Sequence, residues 1–282
     1  MPGPPDQLRI DSHAHVFRRD LPLASRARHA PEHDALLPTY LALLNSHGIT
    51  HAVITAPSFL GTDNSFLLNA LDESEGRLRG TVIVDPTIDR AELRTFAQRG
   101  VVGIRLNYFN YADLPDLGAQ DYQRLFADVR ELDWHVEIYL EAERLTPVLP
   151  LIARSGVKVV IDHFGAPDPR SDVQSAGLAR VVNAVARGRT WVKLSAPYRS
   201  AGLDARAYAE ALVRECGPDR LLWGSDWPWT QNAAGKTYSL TLDWLKDWVP
   251  DECMRQTILG RTPAELFGFG GFTSTWASTA RS

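Results

Sequence analysis

The stretch Leu8-Arg9-Ile10-Asp11-Ser12-His13-Ala14-His15 sets the reading of this chain. An apolar-flanked β run ends abruptly in polar residues. Side chains at i and i+2 share one face of a strand, so His13 and His15 are expected to project together. A strand that buries its body and presents imidazoles at its C-terminal end suits a parallel sheet covered on both faces. Working outward, seven further short β-rich runs follow, at Ala52–Ala56, Gly80–Val84, Gly103–Leu106, His135–Leu140, Lys158–Asp162, Thr190–Leu194 and Leu221–Trp223. Longer amphipathic stretches separate them. Eight βα repeats with no linker predict a single-domain α/β protein, a (β/α)8 TIM barrel over residues 1–270, with 271–282 as a loose polar tail. No Gly-x-Gly-x-x-Gly follows the first run, which removes a dinucleotide-binding doubly wound sheet.

Helix signals support the alternation. Thr146-Pro147 and Thr262-Pro263-Ala264-Glu265 read as capped starts with proline in the first turn, and Asp204 as the cap of Ala205–Cys216. Composition agrees: of 282 residues, 44% are hydrophobic and 23% charged, ample for one large core. The net charge of −4 argues against nucleic acid as a partner. No apolar run is long enough for a membrane span or leader, so a cytoplasmic enzyme is expected. The barrel class leaves a homo-oligomer open. Cys216 and Cys253 form no Cys-x-x-Cys pair and are read as buried thiols. Trp227, Trp229, Trp244 and Trp248 are read as core.

Barrels of this kind carry their chemistry where strands end. That rule selects His13 and His15 after the first strand, His163 after the sixth and Asp226 after the eighth. Asp162, of opposite parity to His163, is expected to face a helix. Arg105 at the fourth strand and Arg199 after the seventh offer forks for a carboxylate. Tyr139 ends the fifth strand and Ser58 follows the second, each able to donate a hydrogen bond. His29, His33, His47, His51 and His135 are assigned no chemistry.

In combination these residues resemble the amidohydrolase superfamily. Ile10-Asp11-Ser12-His13-Ala14-His15 and Trp223-Gly224-Ser225-Asp226-Trp227-Pro228 are similar to its metal-independent or mononuclear branch, and the resemblance runs from Ile10 to about Phe267. It implies a hydrolase of the lactonase type, opening a small anionic, carboxylated lactone of the kind formed in aromatic ring degradation. Asp226 would take the proton from water. His13, His15 and His163 would polarise the carbonyl. Arg105, Arg199, Tyr139 and Ser58 would bind substrate. Metal-dependent relatives place a further His or modified Lys ligand after the fourth or fifth strand. This chain has Arg105 and Tyr139 there, so no cofactor is expected. An ion, if held, would be one divalent cation such as zinc at His13, His15 and Asp226. The resemblance also implies a second substrate-binding basic residue in the loop after Arg105, but the chain reads Asn107-Tyr108-Phe109-Asn110-Tyr111. The substrate expected is therefore one with fewer carboxylates or a different anionic group. The rivals are a mononuclear metal-dependent decarboxylase of the same superfamily and a non-catalytic ligand-binding barrel.

Overall fold

In the computed structural model, which describes residues 8–269, eight parallel strands lie in the order β1 to β8. They are β1 (Ile10–Ala14), β2 (His51–Thr55), β3 (Leu78–Val82), β4 (Val101–Asn107), β5 (His135–Tyr139), β6 (Lys158–Ile161), β7 (Thr190–Leu194) and β8 (Leu221–Trp223). Every end falls within two residues of the run read from sequence. The ring closes between β8 and β1: His15 N donates to Trp227 O at 2.8 Å and Asp226 N to His13 O at 2.8 Å. The predicted tail lies outside the described residues. No helix among those described is long and apolar enough to cross a membrane.

The helices α1 (Leu37–Ser46), α2 (Ser65–Glu73), α3 (Arg90–Gln98), α4 (Gln120–Glu131), α5 (Leu145–Ala153), α6 (Ala176–Ala186), α7 (Ala205–Cys216) and α8 (Tyr238–Trp248) follow the strands in turn. They bury one face each against the barrel, as an amphipathic stripe requires. Asp204 caps α7 as predicted, accepting from Ala207 N at 3.0 Å. The other two cap predictions fail. A 3-10 turn over Ala142–Arg144 runs straight into α5, leaving Thr146 inside the helix. The chain from α9 (Glu252–Gln256) passes through a π-helical turn, Thr257–Arg261, into α10 (Thr262–Phe267). Thr262 is therefore mid-run, and its hydroxyl donates to Pro218 O instead. Pro263 has no N–H for the preceding turn, and the helix widens just before it. Ala264, Leu266, Phe267 and Phe269 from this segment pack on Ile10, Val53, Val160 and Leu222, forming the apolar floor of the barrel. Cys216 is half-buried and Cys253 exposed, contrary to expectation. Trp227, Trp229 and Trp248 are buried in the core, with Trp244 packed against it.

The floor leaves polar chemistry to the upper barrel. A register irregularity in β1 between Asp11 and Ala14 breaks the simple two-residue parity. Asp11 thereby reaches the helical layer, where Tyr40 of α1 and Tyr238 of α8 donate to its Oδ2 at 2.9 and 2.8 Å. Ser225 N donates to Asp11 Oδ1 at 2.9 Å and Ser225 Oγ to Oδ2 at 2.6 Å. Burial pushes the Asp11 carboxyl up, against these hydrogen bonds. Asp11 thus ties β1 to the turn after β8 and sets His13 against Asp226. Gly224 is required at this seam, because a Cβ there would lie 2.6 Å from the His13 Cβ.

Candidate active site

The strand ends build two stacked polar layers. The lower one was largely missed in the sequence. Glu137 of β5, Lys193 of β7 and Asp162 after β6 are inward-facing and 0–1% exposed. Lys193 Nζ donates to Glu137 Oε2, and lies 3.2 Å from Asp162 Oδ1 and 2.8 Å from His13 Nδ1. Arg105 joins them, with Nε 3.2 Å from Glu137 Oε1 and Nη2 3.1 Å from Asp162 Oδ2. Two cations and two carboxylates balance, as buried charges must. Asp162 therefore faces the barrel interior and not a helix. The parity argument fails because the chain turns immediately after it, with positive φ at His163 and Phe164. That turn lets Asp162 and His163 both point inward. The signal available was a charged residue at an inward position of each apolar strand, in His135-Val136-Glu137-Ile138-Tyr139 and Thr190-Trp191-Val192-Lys193-Leu194.

An ammonium group has only protons to offer. His13 Nδ1 therefore accepts from Lys193, and the His13 proton sits on Nε2. His15 is arranged oppositely. Its Nδ1 lies 2.7 Å from Thr55 O, which can only accept, so His15 Nε2 carries the lone pair. His163 Nδ1 pairs with Ser195 Oγ at 2.8 Å.

The upper layer centres on Asp226. Its Oδ2 accepts from Tyr198 OH at 2.6 Å, and Arg199 Nε and Nη2 lie 2.8 and 2.7 Å away. Its Oδ1 has no hydrogen-bond partner, and neither does His13 Nε2. Both His13 Nε2 and His15 Nε2 lie 3.5 Å from that oxygen. The His13 ring meets those of His15 and His163 edge-on, at 4.9 and 4.8 Å. Burial raises the Asp226 carboxyl, but the Arg199 guanidinium outweighs it and holds the carboxyl well below the usual carboxylate range. Burial drives His13 and His15 down and His163 down to about 3, so all three are neutral.

A cavity of about 370 Å³ opens above this layer, lined by His15, Ser58, Arg105, Tyr139 and Arg199 among others. His13, His163 and Asp226 do not line it; they are buried against His15, Tyr139 and Arg199, which do. Of the eight residues selected from sequence, five line this cavity and the other three pack against those five. Tyr139 stacks on Phe109 at 4.5 Å and meets His163 edge-on at 4.9 Å. Tyr198, Lys193, Glu137 and Arg28 were not selected, and His29, assigned no chemistry, lines the cavity as well.

The residues around Asp226 do not suit a cation as hydrogen-bonded here. His13, His163 and Asp226 bring ligand atoms within 4.8 Å of one another. His15 has the orientation of a metal ligand, donating its other N–H to a carbonyl. His13 does not, since its Nε2 is protonated. Arg199 and Arg105 add positive charge beside the site. The other candidate group, His13, Glu137 and Asp162, already encloses the Lys193 ammonium.

Neutral buried imidazoles carry a cost in acid. His13, His15, His135 and His163 are all buried and depressed below the ordinary 6.5. Below pH 6.5 the unfolded chain binds protons that the native state refuses, so stability is lost as pH falls. The slope is up to about 1.4 kcal/mol per pH unit for each imidazole. Urea unfolding midpoints should drop between pH 7.5 and pH 5. A flat midpoint would mean that the imidazoles charge within the fold.

The sequence profile of a family described as amidohydrolase matches residues 10–269. A 4-sulfomuconolactone hydrolase of Rhizobium radiobacter is 32% identical over 268 residues, which cover 92% of this chain and 89% of that protein. A 2-pyrone-4,6-dicarboxylate hydrolase of Comamonas testosteroni is 29% identical over 276 residues, covering 92% and 89%. A solved structure from Acinetobacter baumannii, described as a probable 2-pyrone-4,6-dicarboxylic acid hydrolase with citric acid bound, is 34% identical. It superposes with a TM-score of 0.88 over 93% of this chain and 99% of that one.

Proposed function

This chain belongs to the amidohydrolase family, and from that premise we propose that it hydrolyses an anionic lactone, 2-pyrone-4,6-dicarboxylate or a related product of aromatic ring breakdown. The names of its relatives support the substrate class. One observation carries the reading: an unpartnered carboxylate oxygen, Asp226 Oδ1, beside an unpartnered His13 Nε2, under a cavity lined by three arginines.

The reaction divides between the two sides of Asp226 Oδ1. A water donates one hydrogen to Asp226 Oδ1 and the other to His15 Nε2, two acceptors 3.5 Å apart. Asp226 takes the proton as the water oxygen bonds to the lactone carbonyl carbon. The carbonyl oxygen becomes an oxyanion, which accepts from His13 Nε2–H and faces His163. Collapse breaks the ring C–O bond, and the proton on Asp226 passes to the departing ring oxygen. The product is an open-chain acid. His15 thus acts on the nucleophile side, unlike the expectation that grouped it with the electrophilic imidazoles. Tyr198 and Arg199 hold Oδ2 so that Oδ1 is the basic atom. Arg105, Tyr139 and Ser58 line the cavity that receives the substrate.

Three neutral donors and acceptors suffice for an ester carbonyl without a metal, and the His13 tautomer supports that. Purified protein should open 2-pyrone-4,6-dicarboxylate or 4-sulfomuconolactone, at a rate unchanged by chelation and with no stoichiometric divalent metal by elemental analysis. Turnover of neither lactone would overturn the reading. Activity lost to chelator and restored by zinc would instead establish the mononuclear metal mechanism.

A further inference from the structure

We propose that Arg28, on the loop between β1 and α1, binds one of the two anionic groups that the proposed lactones carry, and so sets the site's preference for a dianion over a monoanion. The inference rests on the lactonase reading; it departs from the expectation of fewer carboxylates and is compatible with that of a different anionic group. Three guanidinium groups line the cavity, Arg28, Arg105 and Arg199, and no carboxylate is among the lining residues. Arg105 is neutralised by Glu137 and Asp162, and Arg199 by Asp226. Arg28 has no carboxylate in salt-bridge range among the described residues. Its partners are neutral oxygens of the β4 loop: Nη1 donates to Phe109 O, and Nη2 to Asn107 Oδ1 at 3.0 Å. Its guanidinium carbon lies 5.8 Å from the Tyr111 ring centre.

Those contacts hold the head group at the loop that lacks its own basic residue. The charge absent from Asn107–Tyr111 is thereby supplied from a different loop. A guanidinium has five N–H donors, and most of those of Arg28 are free for a carboxylate or sulfonate. His29 lines the same cavity, and its Nε2 is buried with no partner. Asn110, Gln231 and Asn232 add amides to the rim. Arg28 is thus the guanidinium of this cavity left without a counter-charge among the described residues, and one anionic substituent of the substrate faces it.

The test separates binding from turnover by using inert probes. Calorimetry compares isophthalate, a rigid dianion, with benzoate, its monoanionic counterpart. The wild-type protein should prefer isophthalate by about 10- to 100-fold, the range for a charge-assisted pair. Arg28→Met, an exposed position whose substitution threatens no core contact, should abolish that preference. It should also raise KM for a doubly anionic lactone by a similar factor. A preference that survives in Arg28→Met, or is missing from the wild type, overturns the proposal. If the preference behaves as expected but no lactone is opened, the anion subsite stands and the lactonase reading falls.

Discussion

Asp226→Asn should lose about 10²–10⁴-fold in kcat, the span attributed to a positioned general base, while the protein remains folded. Asparagine preserves the shape of the side chain and can still accept from Tyr198 on one oxygen. It cannot take a proton from water. The fold tolerates the change because Arg199, the partner left behind, is 19% exposed on its side chain and can recruit solvent. Steady-state kinetics with circular dichroism on the same preparation check both halves. Wild-type rates would remove Asp226 from the mechanism. The wild-type pH profile carries a related expectation. A base is active above its pKa and lost below it, and Asp226 is held well below the usual range. Activity in acid should therefore fail through unfolding, as the imidazoles charge, before it fails through protonation of the base.

Lys193→Met should be nearly as damaging, although Lys193 is 0% exposed and touches no substrate. Without the ammonium, His13 Nδ1 is free to carry the proton and donate it to Asp162 Oδ1, 3.4 Å away. The opposite nitrogen then presents a lone pair to the oxyanion in place of a donor. Loss of one such donor costs about 10²–10³-fold in kcat, with KM little changed. The variant also leaves Glu137 and Asp162 facing a single arginine, a mismatch of about 3–5 kcal/mol. Combining Lys193→Met with Glu137→Gln removes one charge of each sign and restores the balance, so that activity is read on a folded protein. Nitrogen NMR of His13 separates positioning from mere structure. The proton should sit on Nε2 in the wild type and move to Nδ1 in the double variant. A double variant that keeps both the Nε2 proton and the wild-type kcat would dismiss Lys193 as the orienting group.

These two residues differ in how visible they were. Asp226 announced itself as an acid ending an apolar strand. Lys193 and Glu137 sat inside strands, where a lone charge reads as an interruption until its partner is known. They are 56 residues apart. Arg28 gave no pattern at all, because it lies in an irregular loop whose direction is set by the oxygens it meets. Asp162 was misread for a local reason. Alternation holds only while the backbone stays extended, and the positive φ at His163 ends it.

The order of strands, the barrel they close into and the mouth at which His13, His15, His163 and Asp226 collect follow from hydrophobic periodicity, which acts over a few neighbouring residues and is written locally in the chain. Which nitrogen of each imidazole holds a proton, which carboxylate oxygen stays free and which arginine lacks a counter-charge depend on atoms from strands and loops far apart in the chain. Those properties come into being at closure of the barrel, when burial strips away water and leaves each polar group only the partners that the fold puts within reach.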